Sequence, residues 1–111
     1  MDPTLDLEDV SITAPDGRLL RYSRYRAADG TWVRHGEFVE SFPNGQPASQ
    51  GQYAHGQETG LWRDFYASGQ VAAEGPYVEG KESGWWRFWD ETGHEEPTTF
   101  FRDGVETTPD R

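Results

Sequence analysis

Hydrophobic positions in this chain come in short bursts, and most of the large ones are aromatic. The densest bursts, Leu61–Tyr66 and Trp85–Trp89, each follow directly on a glycine. On a strand, successive side chains point to opposite faces. Alternation therefore puts Trp62 and Tyr66 on one face with Phe65 on the other, and Trp86 and Phe88 opposite Trp85 and Trp89. No stretch beyond a turn or two follows the helical period, and glycine recurs too often for a stable helix. The pattern predicts an all-β chain of short strands and tight turns.

The bursts keep a ruler. Gly36, Gly60 and Gly84 are 24 residues apart, as are Gly45, Gly69 and Gly93, and Gly56, Gly80 and Gly104. Phe38, Trp62 and Trp86 form an aromatic series on the same spacing, and Tyr53, Tyr77 and Phe101 form another. Each unit reads as a β-hairpin. A ring-rich strand runs into Asn44-Gly45, Ser68-Gly69 or Thr92-Gly93, where glycine supplies the turn, and a second strand carries Tyr53, Tyr77 or Phe101. Gly17 and Tyr25 keep the same separation as Gly45 and Tyr53, but the step from Gly17 to Gly45 is 28, placing four extra residues around Ala27–Arg34. Tandem 24-residue hairpins of this kind predict an elongated, twisted antiparallel sheet. The chain divides into an acidic N-terminal segment at 1–16, a repeat domain at 17–106 and a tail at 107–111. Invariant columns such as Trp62 and Trp86 are expected in the core. Varying columns such as Phe42, Tyr66 and Asp90 are better placed for recognition.

Composition sharpens this. Only 33% of the 111 residues are hydrophobic and mean hydropathy is −0.92, yet 14% are aromatic, so rings rather than Leu or Ile must supply the apolar surface. Net charge is −10: five acids and no base over residues 1–17, +4 over residues 18–34, and −9 over residues 35–111. Such a field repels nucleic acid and anionic membrane and attracts basic partners. With no cysteine there is no disulfide or thiolate chemistry. Neither a signal peptide nor an apolar span is recognisable, and a cytoplasmic location is expected.

The run Gly-x-x-x-Gly-x-Trp-x-x-Phe/Tyr-Tyr-x-x-Gly-x, followed by a strand ending in Tyr, resembles the MORN repeat variant (membrane occupation and recognition nexus). The resemblance covers Gly36 to about Glu106 and reaches Gly17 weakly. It departs at Asp90, where an aromatic is expected, and at the insertion near Ala27–Arg34. Bacterial proteins of this variant are often classed with the YwqK-like antitoxins, and the resemblance implies an immunity role against a toxin.

Catalytic and metal motifs are missing. His94 has no second histidine four residues on and is followed by Pro97, so it reads as a solvated turn residue. His55 falls in the turn between units, and His35 has no stronger claim. No nucleophile elbow or phosphate loop occurs. No cofactor and no catalysis are expected. Arg18, Arg21, Arg24 and Arg26 alternate with Tyr22 and Tyr25 in a texture shared with phosphate binders, but pairing with Asp6, Glu8 and Asp9 is favoured. The expected function is therefore a non-catalytic, protein-binding repeat module that neutralises a basic toxin domain. The candidate contacts are Glu58, Asp64, Tyr66, Glu79, Glu82, Trp89 and Asp90. The alternatives are a carbohydrate- or choline-type cell-wall binder, and a structural scaffold or homodimer repeat.

Overall fold

A computed structural model describes residues 5–109. Residues 1–4 of the acidic segment and 110–111 of the tail lie outside the described residues. The strands are β1 (Glu8–Thr13), β2 (Leu19–Arg26), β3 (Trp32–Ser41), β4 (Pro47–Ala54), β5 (Gln57–Phe65), β6 (Val71–Val78), β7 (Lys81–Glu82), β8 (Gly84–Phe88), β9 (Thr99–Arg102) and β10 (Val105–Glu106). They form one open antiparallel sheet in the order β1-β2-β3-β4-β5-β6-β8-β9-β10, with β7 also pairing β6. Pairing runs between successive strands, with β7 and β8 both pairing β6. The resulting plate measures 43 × 40 × 23 Å.

Two kinds of turn alternate along its borders. One border carries turns of a single design. Tyr66 N–H donates to Gln70 O and Gly69 N–H to Tyr66 O, and the same pair of bonds recurs at Phe42–Gln46, Asp90–His94 and Ala14–Arg18. A side-chain oxygen completes each: Asn44 Oδ1 accepts from Gln46 N–H, and Asp16 Oδ1 from Arg18 N–H. The other border carries two-residue turns, His55-Gly56, Glu79-Gly80 and Asp103-Gly104. Both residues of each are left-handed; Glu79 has φ 51° and Gly80 φ 81°, the geometry of a type I′ hairpin. Three of the four inserted residues lie here, where five residues join the strands in place of two. Between β2 and β3 this border has a longer turn, Ala27–Thr31, built on the plan of the opposite border.

The pairing register shifts in β4–β5 between Gln50 and Gln52, opposite Thr59–Arg63, and in β2–β3 between Tyr22 and Arg24. Gly60 and Gly84, at φ 71° and 74°, sit in the bulged stretches. This bulge resets which side chains share a face, so that Trp62 and the Tyr53/Tyr77 column meet on one side of the sheet.

The core is a single layer of rings on that side. Phe38, Trp62 and Trp86 are buried, with Leu20, Tyr22, Tyr53, Tyr77, Phe88 and Phe101 packed around them. The invariant columns are thus the core, as the period implied. Two close approaches define the packing: a Cβ added at Gly51 would fall inside the Trp62 indole, and one at Gly75 inside that of Trp86. Each indole also closes a hydrogen bond to the strand beneath, Trp62 Nε1–H to Gln52 O and Trp86 Nε1–H to Pro76 O, both 3.1 Å.

Candidate functional site

The rings form an unbroken row across the sheet. Its steps are Tyr22–Phe38 at 6.3 Å between centroids, Phe38–Tyr53 at 5.5 Å, Tyr53–Trp62 at 5.3 Å, Trp62–Tyr77 at 5.9 Å, Tyr77–Trp86 at 5.2 Å and Trp86–Phe101 at 6.2 Å. From Phe38 onward these steps are edge-to-face, the arrangement that ring quadrupoles favour, worth about 0.5–1.5 kcal/mol per pair beyond area burial.

Charge is distributed unevenly along this row. At the N-terminal end the Arg34 guanidinium lies over Tyr22, Phe38 and Tyr53, 4.5, 5.3 and 5.6 Å from their centroids, and donates to the Tyr53 hydroxyl at 3.4 Å. One and two units on, the equivalent positions are Glu58 and Glu82, and Glu106 continues the column. The backbone proves the equivalence: the carbonyls of Arg34, Glu58 and Glu82 accept the N–H of Gly56, Gly80 and Gly104 in turn. Glu58 stands opposite Tyr53 in the register and Glu82 opposite Tyr77. Burial, then the carboxylates of Glu82, Glu58 and Asp64, push the Tyr77 phenol up to about 12. The row is therefore cationic at one end and carboxylate-bordered at the other.

The opposite face is different in kind. Arg63 pairs with Glu74 at 2.9 Å, Glu74 with Arg87 at 3.6 Å and Arg87 with Glu95 at 2.9 Å, so its charges neutralise one another. Beside this ladder, Leu61 and Trp85 are half-exposed, and Trp85 meets Phe100 at 5.2 Å. A shallow depression farther along is lined by Asp9, Arg21, Ser23, Glu37 and Gln50 among others. In the arginine-rich segment, Arg24 pairs with Glu8 at 2.9 Å, while Arg18 pairs with Glu40 at 2.7 Å as well as with neighbouring Asp16. Near the insertion, His35, His55 and Tyr25 cluster: the two imidazoles are 4.5 Å apart and Tyr25 Oη is 2.8 Å from His55 Nδ1. His94 is largely solvent-exposed at its turn. No group of three or more His, Asp or Glu among the described residues is placed to hold a metal ion.

Two segments of the chain, residues 34–55 and 58–79, match the family model described as the MORN repeat variant, and they begin 24 residues apart. These two units are similar to MORN repeats. Each matched segment spans one column-34 residue, one buried ring, one five-residue turn and one Tyr, so it comprises a strand, a turn and the returning strand. No curated protein and no solved structure matches the chain.

The seven candidate contact residues fall in three places on the sheet. Glu58, Asp64 and Glu82 lie along the ring row, where their charges act together on Tyr77. Tyr66, Trp89 and Asp90 gather at the five-residue turns: Tyr66 Oη–H donates to Trp89 O at 2.7 Å, and Arg87 lies over the Trp89 ring at 4.8 Å. Asp90 Oδ1 accepts from Thr92 Oγ1–H, Thr92 N–H and His94 N–H; these bonds, the Thr92 hydroxyl foremost, hold its carboxyl below the usual range. Glu79 is alone on the opposite border, in a two-residue turn. The residue that sequence reasoning passed over is Arg34, whose ring cage comes from three separate strands. Its signal was the column itself, Arg34, Glu58, Glu82 and Glu106 on the 24-residue ruler.

Proposed function

We propose that this MORN repeat module is a non-catalytic binder of a basic protein, and that the partner is a toxin domain which the module neutralises by covering it. The observation that carries the reading is the division of charge between faces. On the ladder face Arg63 and Arg87 pair with Glu74 and Glu95. Along the ring row, Glu58 and Glu82 form no ion pair among the described residues, and residues 35–111 carry −9 in all. A surface with surplus carboxylate speeds encounter with a cationic partner by long-range steering and discriminates against acidic ones.

The test is affinity capture from the source cells with the full chain as bait, washed at low and then high salt. Retention of one basic protein, released by salt and losing its toxicity when bound, is the expected result. Capture of only neutral or acidic proteins, or an association rate indifferent to ionic strength, would refute it.

A further inference from the structure

The ladder face carries its charges in strict alternation. Across the sheet it reads Arg63 on β5, Glu74 on β6, Arg87 on β8 and Glu95 beyond β8, each meeting the next at 2.9, 3.6 and 2.9 Å. A second row lies beside it in the same columns. Leu61 stands opposite Pro76 in the β5–β6 register, and Trp85 opposite Phe100 in that of β8 and β9. This row is open to solvent: Leu61 is 51% exposed, Trp85 53%, and Val78, two residues beyond Pro76 on the same face of β6, 56%. The rings of the other face bury one another, whereas these apolar side chains have no layer over them.

A row that reads plus, minus, plus, minus becomes its own complement when reversed. A half-turn about an axis parallel to the strands, midway between β6 and β8, makes that reversal for a second copy laid face to face. Arg63 then meets the copy's Glu95 and Glu74 its Arg87, with the reciprocal pairs following. The same half-turn sets Leu61 over the copy's Phe100 and Pro76 over its Trp85. We propose that the ladder face is the interface of a two-fold homodimer, the two sheets packed as a sandwich. Pairing of one surface with itself about a two-fold is the commonest form of assembly. Packed sheets lie about 10 Å apart with strand directions within about 30° of each other. Two arginines and two glutamates sum to zero, so the net charge of −10 is not concentrated where the copies meet. The apolar row supplies the area removed from water, and the charges set the register more than the strength. A plate 43 × 40 Å in extent has room for the about 800 Å² that each partner buries in a standard interface. The ring rows face outward on both sides of the dimer, so the inference stands apart from what they bind.

The experiment is sedimentation equilibrium of the full chain. The mass is expected to rise with concentration from 12.6 kDa toward twice that value. A monomer throughout the range of about 1–100 μM overturns the dimer. Leu61→Glu and Trp85→Glu, each entering a two-fold interface twice, should weaken dimerisation at least tenfold. Glu58→Gln/Glu82→Gln, on the ring row, should change it less than threefold. The register is tested by the exchange Arg63→Glu/Glu74→Arg/Arg87→Glu/Glu95→Arg. This variant keeps every pair within the ladder and across its own two-fold, but sets like charges together in a mixed dimer with the wild type. It should dimerise with itself within threefold of the wild type, while tagged wild type captures at least tenfold less of it than of untagged wild type. Free mixing of the two overturns the proposal. So does a dimer indifferent to Leu61→Glu and Trp85→Glu, such as one joined through the edge strands β1 and β10. Where a melting curve shows the exchange variant unfolded, the two single variants decide.

Discussion

The indole of Trp86 lies over the backbone of Gly75 so closely that no side chain can stand between them. The same relationship holds one unit earlier between Trp62 and Gly51. A single-layer sheet has no second layer to press its rings flat, so each ring uses the bare backbone of the adjacent strand as its floor.

Gly75→Ala should therefore be costly although its backbone conformation suits any residue. The added methyl must displace a buried indole, and overpacking of this kind costs about 1–3 kcal/mol. Urea unfolding followed by tryptophan fluorescence checks it. A loss below half a kcal/mol would mean that the ring shifts freely.

Trp86→Phe removes the Nε1–H bond to Pro76 O and part of the ring while keeping the aromatic column that Phe38 occupies naturally. A loss of about 1–3 kcal/mol is expected from the lost hydrogen bond and the smaller ring. Trp86→Ala should cost about 3–5 kcal/mol. Paired denaturation curves separate the two.

The Tyr77 phenol, raised to about 12 by burial and by Glu82, Glu58 and Asp64, gives the protein an alkaline weakness. Its folded value lies above that of the unfolded chain, so its contribution is complete below pH 10 and disappears as pH rises toward 12. Tyr77→Phe should flatten the fall in stability across that window, and ultraviolet titration should show one late phenol missing.

Asp90 works in the opposite sense. Its carboxyl is held low, chiefly by the Thr92 hydroxyl, so its support for the turn is present above its ordinary value of 3.8 and is lost as pH falls through the depressed one. A carboxyl titration by NMR should place its midpoint below 3.8. Asp90→Ala should abolish the acid-side change in the Thr92 and His94 amide signals.

Glu79 holds a left-handed conformation that asparagine adopts more readily, and asparagine before glycine is the preferred pair for a type I′ turn. Glu79→Asn should stabilise the hairpin by roughly 0.5 kcal/mol, within the spread of small surface effects. Glu79→Val, branched at Cβ, should destabilise it. Thermal melts of the two should move in opposite directions.

Much of this was written legibly in the chain. The period, the turns and the buried columns could be read because glycine and ring recur together, and both are needed at each unit for backbone reasons. The Gly51–Gly75 spacing sits on the same ruler, but a strand glycine carries no turn to announce it, and its purpose is visible only once an indole lies across it. The bulges at Gly60 and Gly84 were hidden too, since strict alternation assumes an unbroken register. Tyr66 and Asp90 vary from unit to unit, which reads as freedom for recognition; in the structure both help to build the five-residue turns. The acidic N-terminal segment lacks the repeat signature, yet Val10 and Ile12 pair with Tyr22 and Leu20 in β1.

Because pairing follows the order of the chain, with β7 and β8 sharing β6, the molecule behaves as a bead string rather than a knot. Excising residues 57–80 would bring Gly56 directly to Lys81, the residue that already occupies the Gln57 position one unit on, and every later pairing would keep its partner. Copying the same stretch would lengthen the ring row by one repeat. Tandem duplication and deletion in the gene can thus tune the length of the ring-bearing face, without a single new packing problem to solve.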